Sequence, residues 1–205
     1  MHPNPIYHTE SSETNLAYAR ERGFGTLAVC GTDGPLLSHV PFLLDEDGGH
    51  AWLHLVRSNP IARALRDGPL ACKIAANGPH SYVSPDWYGI EDQVPTWNYV
   101  AVHLSGRLEL RPAEDLREVL DRQSAFFERQ LLPKPEWLVE KMPPDALEKM
   151  MRVIVPCRMA VTGVDGTWKL NQNKPEDVRL SAARHVEAYG LGSEIATLAA
   201  LMRGS

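Results

Sequence analysis

The chain has 205 residues, of which 43% are hydrophobic and 23% are charged, and its formal net charge is −5. This is the composition of a globular domain with its own core. It excludes a membrane-spanning helix, because no stretch approaches the roughly 20 apolar residues that such a helix needs. The acidic balance also argues against a domain devoted to nucleic-acid binding, since that affinity rests on lysine and arginine contacts with phosphates.

Cysteine and histidine usage favours a cytoplasmic protein without a metal site. The three cysteines, Cys30, Cys72 and Cys157, are odd in number and far apart, so a disulfide framework is not expected. His50 and His54 are four residues apart on a predicted strand, with no third ligand nearby. Segment 1–10 has neither the basic nor the apolar region of a secretory signal. We therefore predict a cytoplasmic location.

The N-terminal third of the chain predicts a helix followed by a β-meander. A helix over about 10–22 has early acidic residues, late arginines and a stop at Gly23. Short apolar runs separated by turn-forming clusters then predict three antiparallel strands, at 25–30, 35–44 and 51–57.

The middle of the chain continues this alternation. Asn59 as N-cap and Pro60 as first helical residue predict a helix over about 60–67. Further strands are predicted at 70–76 and 81–84, and the clearest one, at 101–110, alternates apolar and polar side chains along its length.

Helices and one more hairpin complete the predicted chain. The apolar stripe within 113–130 predicts an amphipathic helix. The remaining elements are short helices at 134–142 and 144–151, strands at 153–164 and 167–170, and two helices within 176–203. We predict an α+β fold, an antiparallel Greek-key barrel with peripheral helices. It forms a single domain over 1–205 with a C-terminal helical segment at about 175–205.

The exit of the third strand is a candidate anion site. Arg57, Ser58 and Asn59 converge where a helix begins, and helix N-termini favour phosphate. The competing interpretation is that Ser58 and Asn59 only cap the helix while Arg57 makes a surface ion pair.

Two other segments also admit two interpretations. The aromatic and proline-rich stretch 81–99 predicts a loop that packs against a dimer partner or a flat ligand, or else folds onto its own core. The segment 168–174 carries two lysines and three side-chain amides, which suit either an anionic ligand or a solvated turn.

Taken together, these segments resemble the PaiB family. The motifs GFGTLAV, SHVP, HLVRSNP, SYVSPDWY, VPTWNYVAVHLSG and KLNQNK occur here in that family's order and spacing. The resemblance runs from about residue 23 to the C-terminal helices. This sequence departs from the family at its N-terminal start and at Asn171, where a serine is expected.

The resemblance implies a split β-barrel like those of the pyridoxamine-phosphate-oxidase-like flavoproteins, with FMN at a homodimer interface. Arg57, Ser58 and Asn59 would then contact the phosphate, with His54 nearby. The strand Ser38, His39, Val40 and Pro41 would run beside the isoalloxazine ring, with His39 and Pro41 closest to it. The residues expected to close the site, from either subunit, are Trp97, Asn98, Lys169 and Gln172.

The resemblance also implies a role as a negative transcriptional regulator. One alternative is a flavin-dependent reductase or oxidoreductase, in which the cofactor carries the chemistry. Another is a haem-handling or ligand-sensing module with His39, His54 or His103 as axial ligand. Direct DNA binding is not favoured, because basic and acidic residues balance over 174–205.

Overall fold

The computed structural model describes residues 1–205 and contains eight strands and six α-helices. The strands are β1 Phe24–Gly31, β2 Gly34–Pro41, β3 Leu43–Leu44, β4 His50–Val56, β5 Leu70–Val83, β6 Thr96–Leu110, β7 Ile154–Lys169 and β8 Gly192–Ser193. The helices are α1 Ser12–Arg22, α2 Pro60–Ala64, α3 Asp115–Arg129, α4 Pro144–Met151, α5 Glu176–Tyr189 and α6 Ile195–Gly204. None of the helices combines the length and hydropathy that crossing a membrane requires.

All strands belong to one sheet in the order β2-β1-β5-β6-β7-β4-β3, and β8 pairs with β5. The β1–β2, β1–β5, β3–β4, β4–β7 and β5–β8 ladders are antiparallel. The edge strand β2 also contacts β4 without a hydrogen-bonded ladder between the two. The sheet is therefore curled but not closed, as in a split barrel.

The chain divides into two compact units. The second unit comprises residues 19–75 and 104–163. Its core side chains alternate along the strands, and those with no exposed surface include Leu27, Leu53, Ile74, Leu104 and Met159. Helix α3 lies against β4 through an apolar stripe that includes Leu116 and Val119, both buried.

The first unit comprises residues 1–18, 76–103 and 164–205. Its core joins strand residues such as Val83 and Val100 to the apolar faces of α5 and α6. Ala182 and Val186 of α5 and Leu198 of α6 have no exposed surface there. The two C-terminal helices thus use their apolar faces to build this core. The prediction of a single domain over 1–205 stays a prediction.

The main corrections to the predicted elements are in the long strands. The sequence predicted breaks at the glycine-containing turns near 77–80 and 163–166, yet β5 and β7 run through both. Trp97, Asn98 and Tyr99 were predicted in a loop and lie instead on β6.

Two glycines explain why these strands continue. A Cβ at Gly78 would lie 1.7 Å from Tyr18 Oη, and a Cβ at Gly166 would lie 1.9 Å from Asn15 Oδ1. Neither glycine has a positive φ. Each therefore serves the close approach of a side chain from α1 rather than a turn, which is a second reason for glycine inside a strand.

Candidate functional site

The exit of β4 is built around Asn59. Its Oδ1 accepts a hydrogen bond from the backbone N–H of Ile61 at 2.8 Å, which is the predicted N-cap of α2. Its Nδ2 donates to Ser38 Oγ at 2.7 Å. One side chain therefore both starts the helix and links it to β2, in the place where β2 and β4 share no ladder.

Two arginines flank this link. Arg57 donates from Nε to the carbonyl of Arg152 at 3.1 Å and from Nη2 to that of Ile154 at 3.2 Å. Arg63 donates from Nε and Nη2 to the carbonyl of Ser58, at 3.0 and 2.7 Å. Both side chains are exposed, and neither forms an ion pair. The guanidinium groups are thus held by neutral acceptors, and each keeps free N–H donors.

This donor set fits a phosphate group. Two oriented guanidinium groups without a carboxylate partner flank the exposed Ser58, whose hydroxyl makes no hydrogen bond. Arg63 was missed by the sequence analysis. The local charge could have indicated Arg63 as a further anion-binding residue, because segment 57–67 contains three arginines and one acidic residue. The competing interpretation of Arg57 as a surface ion pair finds no partner carboxylate.

The four predicted residues of β2 point in alternating directions. Val40 is buried in the core, whereas His39 is exposed and its Nδ1 lies 3.1 Å from Thr26 Oγ1 on the paired strand β1. Ser38 joins Asn59, as described above. His39 and Thr26 therefore mark an accessible sheet face, while Ser38 belongs with the strand exit.

His54 lies in a different environment from Arg57. Its Nδ1 is 3.0 Å from Gln123 Oε1 on α3, and burial lowers the pKa of His54. Gln123 Nε2 in turn donates to the carbonyls of Pro41 at 3.2 Å and Trp52 at 3.4 Å. The structure thus brings His54 and Pro41 together through Gln123 rather than beside the arginines.

A small cavity of about 300 Å³ opens next to this group. Pro41, His54 and Gln123 line it together with the rings of Phe127 and Trp137. The sequence analysis missed Gln123, which is 5% exposed. A usable signal was present, because Gln123 is a polar residue on the otherwise apolar stripe of α3.

The remaining four predicted residues belong to the first unit. Trp97 is 48% exposed and its ring contacts those of His80 and Tyr82. Asn98 has no exposed surface, and neither its Oδ1 nor its Nδ2 has a hydrogen-bond partner. Such a buried amide is costly.

Lys169 and Gln172 differ in how many hydrogen bonds their side chains make within the protein. Gln172 accepts from the backbone N–H of Leu170 and donates to the carbonyls of Trp168 and Ile6, so it braces the turn after β7. The Lys169 amine contacts the Thr96 hydroxyl and lies 5.8 Å from the centroid of the Tyr7 ring. Burial lowers the pKa of Lys169, and no carboxylate pairs with it. Lys169 is the more available of the two for a ligand.

Comparison with known proteins assigns the family. The model of the family described as "Putative FMN-binding domain" matches residues 1–163. "Protease synthase and sporulation protein PAI 2" of Bacillus subtilis is 30% identical over 181 residues, which cover 86% of this chain and 84% of that protein. The chain belongs to the PaiB family. The family assignment and the FMN cofactor predicted from the sequence are both confirmed at the level of the family.

Two of the solved structures that share this fold are those of a FAD and haem binding protein and of a flavocytochrome. The FAD and haem binding protein from Mycobacterium smegmatis matches with a TM-score of 0.59 and 14% identity, over 91% of this chain and 82% of that one. The flavocytochrome Anf3 from Azotobacter vinelandii matches with a TM-score of 0.60 and 15% identity, over 86% and 77%. The predicted α+β split barrel is confirmed.

Proposed function

We propose that this PaiB-family protein holds the phosphate of FMN at the exit of β4 and works as a flavin-dependent negative regulator of transcription. The observation that carries the proposal is the pair Arg57 and Arg63. Both guanidinium groups are oriented by backbone carbonyls, are exposed and lack any acidic partner. A dianionic phosphate supplies the charge that this arrangement leaves uncompensated.

The other residues near this exit have distinct parts in the proposal. Ser58 offers a hydroxyl donor to the phosphate, and Asn59 fixes the position of α2 against Ser38. His39 and Thr26 present polar side chains on the accessible face of β1 and β2, where a flat ring would lie. When bound, FMN supplies the electron-transfer chemistry, which the protein tunes by position and charge.

The test compares FMN with riboflavin, which lacks the phosphate. Flavin fluorescence titrations would be run on the wild type and on Arg57→Gln and Arg63→Gln. Losing a charge-assisted hydrogen bond costs about 1.5–3 kcal/mol, so each variant is expected to bind FMN about 10- to 150-fold more weakly. Riboflavin affinity is expected to stay unchanged, because its binding does not use these donors.

A matched control is Arg107→Gln. Arg107 is also exposed and also donates to a backbone carbonyl, that of Pro69 at 2.8 Å, but it lies on β6, and its acceptor follows the C-terminal end of α2 whereas Ser58 and Asn59 precede the N-terminal end. It is expected to leave both affinities unchanged. Equal affinity of the wild type for FMN and riboflavin would contradict the phosphate assignment.

We also propose that the protein works as a homodimer in the cytoplasm. Phe24 and Leu37, on the paired strands β1 and β2, are 53% and 61% exposed, and exposed apolar patches mark sites of protein interaction. Trp97 is likewise exposed on β6. Such anchors are typical of a two-fold interface. Trp97→Ala is expected to weaken the dimer in sedimentation experiments and to lower FMN affinity; if neither changes, Trp97 is not in the interface.

The regulatory part of the proposal rests on the family. The Bacillus subtilis relative is named a protease synthase and sporulation protein. A gel-shift titration with the protein's own promoter, repeated with and without FMN, tests it. Retardation that depends on FMN and falls steeply with salt would indicate direct DNA contact; its absence would leave action through another protein.

A further inference from the structure

A second cavity in the second unit lies away from the strand exit. It has a volume of about 590 Å³, within the range of small-molecule sites. The end of α1, the strand β3 with the turn that follows it, and one face of α3 form its walls. The lining residues are Arg20, Leu43, Leu44, Glu46, Arg122, Ala125, Phe126, Arg129 and Gln130.

The lining carries an excess of positive charge. Arg20 donates from Nη2 to the carbonyls of Asp45 and Glu46, at 2.9 and 3.0 Å, while its buried Nε has no hydrogen-bond partner. Arg122 is paired with Asp45 at 3.0 Å. Arg129 is exposed, and its side chain makes no hydrogen bond and no ion pair.

Glu46 is the only acidic residue in the lining. It is exposed, so its carboxylate has access to solvent. Arg122 is neutralised by Asp45 and also lies 3.9 Å from Glu118. The excess of positive charge therefore comes from Arg20 and Arg129 against Glu46.

The rest of the cavity lining is mostly apolar. Leu43 and Leu44 are buried at 8% and 6% exposure, and the Phe126 ring and Ala125 line the side of α3. Arg122, Phe126 and Arg129 are four and three residues apart along α3, so they share one face of the helix. Charged donors and an apolar surface thus border the same space.

We propose that this cavity binds an organic carboxylate with an apolar body. Arginine forks match a carboxylate in a bidentate manner, and the exposed Arg129 guanidinium is the fork that the fold leaves unused. The apolar body lies against the leucines of β3 and the Phe126 ring. This site is separate from the proposed FMN phosphate site and does not depend on it.

The experiment uses a matched pair of probes, 1-naphthaleneacetate and its neutral amide, on the full chain saturated with FMN. Calorimetric titration of the carboxylate is expected to show one site per chain, and the amide is expected to bind about tenfold more weakly. Arg129→Gln is expected to remove that preference by weakening only the carboxylate. Since Arg129 has no partner in the fold, this variant does not disturb a structural contact.

Two further variants test whether the probes bind inside this cavity. Arg117→Gln changes an exposed arginine of the same helix outside the cavity and is expected to leave both probes unaffected. Ala125→Phe fills the cavity and is expected to weaken both probes while FMN affinity stays unchanged. The proposal is overturned if the carboxylate does not bind at millimolar concentration, if the two probes bind equally, if Arg129→Gln has no effect, or if FMN competes with the probe.

Discussion

Replacing Gln123 by leucine tests whether one buried amide ties β2 to β4. Gln123 Nε2 donates to the carbonyls of Pro41 and Trp52, and its Oε1 lies 3.0 Å from His54 Nδ1. Leucine has a similar volume, so the substitution removes these bonds without opening a large cavity. A buried group left without its partner costs about 1–3 kcal/mol.

The expected loss of stability in Gln123→Leu follows from the lengths of the hydrogen bonds that Gln123 makes. The two bonds to carbonyls measure 3.2 and 3.4 Å, at or beyond the usual upper limit of about 3.2 Å. Each is therefore counted near the low end of that range, and the loss of the His54 contact adds a similar amount. Together with the apolar surface that leucine gains, the expected loss of unfolding free energy is roughly 2 kcal/mol.

Urea denaturation followed by tryptophan fluorescence measures this loss at pH 7.5. Ser124→Ala is the matched control, since Ser124 is the next residue of α3, is half-buried and makes no side-chain hydrogen bond. The control is expected to change stability by less than about 0.5 kcal/mol. A change of that small size in Gln123→Leu as well would refute the bridging role.

Two further predictions concern a close approach and a titrating group. Gly166→Ala places a methyl 1.9 Å from Asn15 Oδ1, which is fixed by a 2.8 Å bond from Trp168 Nε1, so thermal or urea unfolding should show a loss of about 1–3 kcal/mol. Gly163→Ala on the same strand meets no atom within 4 Å and should lose far less. For His54, burial lowers the folded-state pKa below the ordinary 6.5, so below about pH 6.5 the unfolded chain takes up a proton more readily than the folded one. Stability should fall as the pH decreases, by at most about 1.4 kcal/mol per pH unit from this group, and His54→Gln should show a shallower decline between pH 7 and 5; equal slopes would argue against a depressed pKa.

The sequence predicted the local signals well because each has a short-range cause. Gly23 has a φ of 57° and ends α1, and Asn59 caps α2 through the predicted hydrogen bond. The exit of β4 was singled out from three consecutive residues, and Arg57 and Arg63 lie there without acidic partners, while its role as an anion site stays a prediction. Such features depend on neighbours in the chain.

Features with long-range causes could not be predicted in the same way. Gly78 and Gly166 resemble turn residues in sequence, and their actual partners, Tyr18 and Asn15, are far away in the chain. His54 was grouped with Arg57 by proximity in sequence, but its partner is Gln123, 69 residues further on. The local sequence pattern indicates whether a segment is a helix, a strand or a turn. These long-range contacts depend instead on which helices and strands the topology places next to each other.

The distribution of charge bears on how a PaiB-family protein with this sequence could regulate transcription. The second unit contains sixteen basic and sixteen acidic residues, whereas the first contains five basic and ten acidic ones. The whole net charge of −5 therefore lies in the unit that includes α5 and α6. Those helices also bury their apolar faces in its core. An acidic unit repels the phosphate backbone, so the C-terminal helix pair is poorly suited to bind an operator. Arg57, Arg63 and Arg129, which have no acidic partner, belong to the second unit, where they border the β4 exit and the arginine-lined cavity and suit small anions.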